Sequence, residues 1–376
     1  MALYVGGTVL SGGGSSLETF RNKIVNGTMD VSQRAQSANS ISNSTSTFHT
    51  LDRWKLKTLQ GGTWGMEQKK LEDYTQQTLG STDIIPLGSG LKSSLKITCE
   101  TAEASLASYS YTTLHYALEG RDLQDLSYGT STPSDSTLSF WVKSNVTGTY
   151  IVFFNNTDYA GGISQSYTIN SANTWEQKEI TIPGDSARKY RDDVNKSLTI
   201  DFYVAYGNQS GALNTSWNTV SSSQKATGQV NLAGTVNNEF WLTGVQYEKG
   251  SSKTDIEILP YDANLRRCYR YYYKMDSTVQ YARLGIGHAT STTVGSITIF
   301  PEVAMRIAPS SVDSSNLGLW KTGTVQSVSA VTIDTTTNTK YSTAINCTST
   351  GLTSGDVYQL IGNNSASSTL ALNSEL

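Results

Sequence analysis

Apolar residues in this chain recur at every second position and seldom at helical spacing. Leu198, Ile200, Phe202 and Val204 alternate with Thr199, Asp201 and Tyr203. Leu138, Phe140 and Val142 alternate with Ser139, Trp141 and Lys143, and Ile180 and Ile182 follow the same rule. Successive side chains of a strand point to opposite faces, so period two means one face buried and one wet. That is the pattern of an antiparallel sandwich. Long polar stretches, 32–47 and 209–229, fall between the strands.

Residues 239–275 divide the chain. Phe240, Leu242 and Val245 begin the stretch as a strand, which breaks at Gly250-Ser251-Ser252 and turns at Pro260. Leu265, Tyr269 and Tyr272 then stand near the helical period, and the stretch ends in Tyr269-Arg270-Tyr271-Tyr272-Tyr273-Lys274. This reads as the closing strand of one large sandwich and the hinge into another. Beyond it, strand-like runs at 294–300, 325–333, 341–347, 357–361 and 369–372 are separated by Gly-, Ser- and Asn-rich turns. The expectation is an all-β protein: a large jelly-roll β-sandwich over 23–265, a smaller C-terminal β-sandwich over 266–376, and a short N-terminal arm, 1–22, containing Gly12-Gly13-Gly14. No internal repeat is visible, which argues against a β-helical spike.

Apolar residues make up 37% of the 376 positions, enough for real cores. Only 16% are charged, against roughly 25% in ordinary soluble domains. Hydroxyl and amide side chains take up the difference, which suits an exposed β protein better than a metabolic enzyme. A net charge of −3 gives no footprint for nucleic acid. The one basic cluster, Arg266 to Lys274, reads as arginines and tyrosines packed at an interface. No run approaches the ~20 apolar residues of a membrane helix, so no membrane insertion is expected. The opening Met1-Ala2-Leu3-Tyr4-Val5-Gly6-Gly7 lacks the basic and apolar regions of an export signal. Cys99, Cys268 and Cys347 have neither metal nor disulfide-framework spacing and read as free, mostly buried thiols.

Several segments, taken in order, resemble a family of bacteriophage fibre and virion structural proteins. They are Lys23-Ile24-Val25-Asn26-Gly27-Thr28-Met29, Leu51-Asp52-Arg53-Trp54, Tyr116-Ala117-Leu118-Glu119-Gly120, Leu138-Ser139-Phe140-Trp141-Val142 and Thr174-Trp175 leading to Thr181-Ile182-Pro183-Gly184-Asp185. Leu242-Thr243-Gly244-Val245-Gln246, Pro260-Tyr261 and Cys268-Tyr269-Arg270-Tyr271-Tyr272-Tyr273 complete the set. In the tail, Phe300-Pro301-Glu302-Val303-Ala304-Met305-Arg306 and 372–376 resemble the second module found in such fibres. The resemblance implies a jelly roll akin to carbohydrate-binding modules, non-catalytic attachment to host-surface glycan, and a homotrimer held to other virion proteins by the N-terminal arm. The location it implies is the virion, the protein being made in host cytoplasm. A structural decoration, neck or adaptor protein is the alternative, and a polysaccharide depolymerase ranks last. Such modules often hold a structural calcium; the sequence names no ligands for one, and no cofactor is expected.

Catalytic motifs are scarce. Gly184-Asp185-Ser186 superficially resembles an esterase nucleophile block, but none of His49, His115 and His288 stands at the needed D-x-x-H spacing. Asp192 and Asp193 are adjacent, so on a strand they would face opposite ways. Sugar binding instead needs aromatic faces flanked by polar groups, and the chain has seven Trp and 21 Tyr. Trp141 belongs to the wet face of its strand, and Trp64 and Trp217 fall in glycine- or serine-rich text. These three are the candidate carbohydrate-binding residues. Trp54 reads as core, with Asp52 and Arg53 in a buried ion pair, and Tyr271, Tyr272 and Tyr273 read as interface.

Overall fold

The structure is a computed structural model, and it describes residues 4–5, 8–9, 20–45, 47–71 and 84–376. The expected arm, 1–22, therefore lies largely outside the described residues. Of it, β1 (Tyr4–Val5) and β2 (Thr8–Val9) form a small ladder. At its end, the Phe20 and Asn22 amides both donate to the Glu257 carboxylate, at 2.6 and 3.1 Å.

The alternating sequence forms two facing antiparallel sheets. One has five strands in the order β10 (Gly161–Ile169), β9 (Gly148–Asn156), β12 (Lys196–Tyr206), β7 (Tyr111–Glu119) and β4 (Lys55–Leu59). The other has six, β11 (Glu176–Ile182), β8 (Ser136–Ser144), β13 (Glu239–Lys249), β6 (Ser93–Thr101), β5 (Thr63–Lys70) and β3 (Ser37–Ile41). Leu198, Ile200 and Phe202 of β12 face Leu138, Phe140 and Val142 of β8 in one core. Phe140 meets Phe202 edge to face at 5.1 Å. The fold is thus the expected all-β sandwich of jelly-roll type.

The segments that carried the resemblance meet in space. Gly244 sits at φ +57 in a bulge of β13, between Thr243 and Gln246, a conformation that favours glycine. The bulge aims the Val245 amide at the Gly27 carbonyl, 2.9 Å away. A Cβ on Gly27 would collide with the Val245 carbonyl, so only glycine admits this approach. Asn26 donates through Nδ2 to the Val31 and Asp52 carbonyls, at 2.8 and 3.1 Å, and Trp54 donates to the Asn26 carbonyl at 3.1 Å. Trp54 is fully buried, as expected of a core residue.

Beyond β13, α1 (Tyr261–Tyr269) carries Cys268 on its buried side. The helix is shorter than the spacing predicted: Tyr272 opens β14 (Tyr272–Asp276) instead of continuing it. β14 pairs with β23 (Thr369–Asn373), which also pairs with β17 (Ser311–Ser315). A seven-stranded sheet runs β19 (Thr324–Ser327), β18 (Leu317–Lys321), β22 (Val357–Gly362), β15 (Arg283–Ala289), β16 (Val294–Ile299), β21 (Thr343–Thr348), β20 (Ala330–Ile333). Ile297, Leu319, Ile345, Leu360, Leu370 and Leu372 make its core. All three cysteines are free and buried.

A charged network joins the two sandwiches. Arg53, 2% exposed, is ion-paired with Glu375 and donates to the Ala117 carbonyl at 2.6 Å. Its guanidinium lies 3.6 Å from the Tyr271 ring centroid. Arg270 grips buried Glu119 with two bonds, 2.8 and 2.6 Å, while the Tyr271 hydroxyl donates to the same carboxylate at 2.6 Å. The expected Asp52–Arg53 pair is a correction: both are buried, but Arg53 reaches Glu375 while Asp52 lies 3.6 Å from Arg34. Neighbours on a chain point apart, so each takes a partner from a different segment: Arg34 ahead of β3, and Glu375 just past β23. Burial pushes the Asp52 carboxyl up to about 6, against the pull of Arg34.

Arg53→Met should therefore cost about 3 kcal/mol, because it leaves the buried Glu375 carboxylate with only the more distant Arg34, at 3.4 Å. Urea unfolding of the full chain measures this. An unchanged midpoint would show that Glu375 does not depend on Arg53.

Candidate functional site

The wet face of the five-stranded sheet is a groove of about 450 Å³. Its floor follows from strand register. His115 of β7 stands beside Asp201 of β12, which stands beside Phe153 of β9. One row along, Lys57 of β4 pairs with Thr113, which pairs with Tyr203; next, Leu59 pairs with Tyr111, which pairs with Tyr206. The residues that alternate with the core positions of β12 thus become the floor: Thr199, Asp201 and Tyr203. A bulge between Tyr203 and Ala205 returns Tyr206 to this face. The walls are the segment holding Ser108 and Tyr109 and the loop holding Asn208, Ser222 and Lys225.

The floor is aromatic. Tyr203 and Tyr206 meet edge to face at 5.1 Å. Phe153, Ile151 and Ala226 complete a small cluster with them, against which Tyr111, Leu213 and Val220 pack. Tyr109 stands 57% exposed at the rim. Burial raises the Tyr203 phenol well above its usual range and that of Tyr206 to about 12, so both stay neutral. The Tyr206 hydroxyl is buried and has no hydrogen-bond partner among the described residues. An orphaned buried hydroxyl costs about 1–3 kcal/mol.

The polar centre is a pair. His115 Nδ1 lies 2.7 Å from Asp201 Oδ1, and Thr199 Oγ1 donates to Asp201 Oδ2 at 3.2 Å. Burial is the largest influence on each. For His115 it outweighs the nearby carboxylate, and the pKa falls. For Asp201, His115 and Lys57 outweigh burial, and the carboxyl is held below its usual range. The neutral imidazole then donates its Nδ1 proton to Asp201 and presents Nε2 as an acceptor. Asp201 is the groove's one carboxylate, whereas glycoside hydrolysis uses two facing carboxyl groups. Among the described residues no three His, Cys, Asp or Glu side chains gather to hold a metal.

The three predicted tryptophans do not converge. Trp64 is fully buried, its indole donating to the Gly61 carbonyl at 2.8 Å. It corrects the sequence expectation: on β5 it points inward with Met66, so it cannot stack on a sugar. Trp217 is partly buried against the core, edge-on to Tyr128 at 5.8 Å, and donates to the Pro183 carbonyl at 2.7 Å. Trp141 does lie half-buried on the wet face of its strand, but that face belongs to the six-stranded sheet. There Leu91, itself buried, comes down beside Gly244 and Trp141. Trp241 and Trp175 on that face meet at 6.4 Å under the Lys143 amine.

Sequence reasoning placed Asp201 and Tyr203 on a wet face without marking them as a site. The same signal marks Tyr111, Thr113 and His115, which alternate with Leu114 and Tyr116 of the core. A second cavity of about 400 Å³, lined by Phe20, Asn22, Arg121, Arg267 and Arg270 among others, lies at the junction. Arg270 there is already committed to Glu119.

No family model matches the sequence, and neither does any curated protein. Among solved structures, the chain is similar to the enzymatically active domain of tailspike protein 4 from bacteriophage CBA120, at 14% identity and a TM-score of 0.30 over 56% of this chain. The chain spans 21% of the length of that tailspike. It is also similar to the carbohydrate-binding module TmCBM61 in complex with β-1,4-galactotriose, at 9% identity and TM-score 0.27, covering 52% of this chain and 88% of that one. A family 11 carbohydrate-binding module from Clostridium thermocellum, in complex with a mixed-linked tetrasaccharide, matches at 11% identity and TM-score 0.26, over 58% and 99%. These likenesses reach no further than a shared β-sandwich outline, and the fold stands on the chain's own strands and register.

Proposed function

We propose that this chain binds a glycan, without catalysis, along the groove of the five-stranded sheet. The observation that carries the proposal is the tyrosine floor, Tyr111, Tyr203 and Tyr206, set against the His115–Asp201 pair. Sugar rings present apolar C–H faces and a rim of hydroxyls. Aromatic side chains supply area to the first, and fixed donors and acceptors orient the second.

In this reading residues 23–265 carry the binding, 266–376 form a distal sandwich, and 1–22 attach the protein to other virion proteins. The biological role is attachment of a phage particle to host-surface glycan, with copies in a homotrimer adding avidity. The phage setting rests on the ordered sequence resemblance. The single carboxylate of the groove supports binding over hydrolysis.

A panel of polysaccharides offered to the full chain tests this. Tyr203→Ala should weaken binding of any hit by about tenfold, the order of one lost aromatic face of ~1.5 kcal/mol. Trp141→Ala and Trp217→Ala should leave it nearly unchanged. Loss on Trp141→Ala alone would move the site to the six-stranded sheet. No hit, with recapture of the protein by stripped virions, would favour the structural role.

The protonation of the pair is checked separately. His115 should titrate below its ordinary value of 6.5 in imidazole NMR, since burial lowers it. Asp201→Asn should lower it further, because the carboxylate is the group that raises it. A rise in the variant would show that the two side chains do not interact.

A further inference from the structure

The groove is basic in a chain that is not. The whole protein carries a net charge of −3, yet Lys57, Lys196 and Lys225 line the groove against Asp201 alone. They reach it from different sides. Lys57 comes from β4 at the sheet edge, and Lys196 opens β12. Lys225 comes from the opposing loop, its amine 5.6 Å from the Phe153 ring centroid.

Asp201 attracts Lys57 but cannot neutralise all three. Its Oδ1 is held by His115 and its Oδ2 by Thr199. Among the described residues no carboxylate oxygen lies within the 4.0 Å ion-pair distance of any of the three amines. Lys196 stands opposite Glu119 in the ladder, but that carboxylate is taken by Arg270 and Tyr271. The lysines also work against one another: burial lowers the Lys57 pKa most, Asp201 pulls it back up, and Lys196 and Lys225 push it down again, so that it ends below its ordinary value. Neighbouring Lys55, next to His115 in the ladder, is lowered to about 8 by burial and by Lys57. Lys57 and Lys225 are half-buried and Lys196 is exposed, and half-buried ammonium groups that feel a like charge are destabilised until an anion arrives.

We propose that the glycan selected by this groove is acidic, bearing carboxylate or phosphate groups that pair with Lys57, Lys196 and Lys225 while its rings lie on Tyr111, Tyr203 and Tyr206. This rests on the reading of the groove as a glycan site and names its ligand class. Aromatic floor and cationic rim do different work: the tyrosines hold rings of any charge, and the lysines discriminate between a neutral chain and an acidic one.

The experiment uses the full chain on an array of neutral, uronate-bearing and phosphodiester-linked polysaccharides. Any uronate-bearing hit is offered again after its carboxyl groups are reduced to alcohols. Lys57→Met and Lys225→Met should each weaken binding of acidic hits roughly five- to tenfold, the order of one partly desolvated ion pair. Affinity should also fall as salt is raised from about 0.1 M to about 1 M, where the screening length drops from roughly 10 Å to about 3 Å. Retention on a uronate but loss on its reduced form assigns the charge to carboxylate, and retention confined to phosphodiester chains assigns it to phosphate. Two lysine variants at different edges guard against one that fails to fold. Equal binding of neutral and reduced glycans, sensitive to Tyr203→Ala but not to either lysine change, would overturn the acidic ligand and leave the glycan site standing. Binding to nothing on the array, with Tyr203→Ala silent, would overturn both.

Discussion

Arg53 places a positive charge where water does not reach, and the joining of the two sandwiches depends on how that charge is answered. The guanidinium has one acid, Glu375, one carbonyl, Ala117, and two tyrosine faces, Tyr116 and Tyr271. Ala117 and Tyr116 belong to β7 of the first sandwich, while Tyr271 and Glu375 flank the second. A buried charge contributes little net stability when paired and costs much when not. Its effect is to permit one arrangement: sliding one sandwich over the other would leave both Arg53 and Glu375 unanswered in a dry space. Arg306 extends the same logic, donating to the Ser374 and Glu375 carbonyls on one side and to Val194 on the other.

That junction also fixes the groove from behind. β7 carries Ala117 to Arg53 and Glu119 to Arg270 at one end, and His115, Thr113 and Tyr111 along its wet face. Its opposite face supplies Leu114, Tyr116 and Leu118 to the core. One strand therefore meets core, junction and groove: the pleat parts the core side chains from the others, and position along the strand parts junction from groove. The floor is rigid for this reason, and rigid aromatic faces lose little entropy on meeting a ligand.

Much of this was legible in the sequence. Period-two alternation gave the sandwich and the wet side of β12, while cysteine spacing and the Asp52-Arg53-Trp54 run pointed to the buried state of the three cysteines and Trp54. The break after Gly250 marked where the first sandwich closes. What alternation cannot convey is which wet face stays open. Trp141 and Tyr203 look alike by that rule; both alternate with core residues on central strands. Trp64 was misplaced because glycines on both sides of it suggest a loop. Gly61 and Gly62 in fact turn the chain into β5, and Trp64 enters the core on its second residue. The ion-pair partners were out of reach altogether: Arg53 and Glu375 are joined only by the fold.

The choice between the two wet faces comes down to what lies over them. On the six-stranded sheet, Thr243 and Ser94 are outward by alternation, yet both are fully buried. Thr243 donates to the Ser93 carbonyl and Ser94 to the Ile84 carbonyl, so the segment from Ile84 into β6 lies against its own sheet. Leu91 seats itself beside Gly244 and Trp141 as part of that segment. A glycan approaching there would have to displace buried apolar contacts worth roughly 25 cal/mol per Å² before gaining any of its own. On the five-stranded sheet the connecting segments stand at the rims and leave a groove of about 450 Å³ above Tyr111, Tyr203 and Tyr206. The deciding difference is therefore what lies over each sheet: buried Leu91 seated against Trp141 on one, and a groove lined by tyrosines on the other.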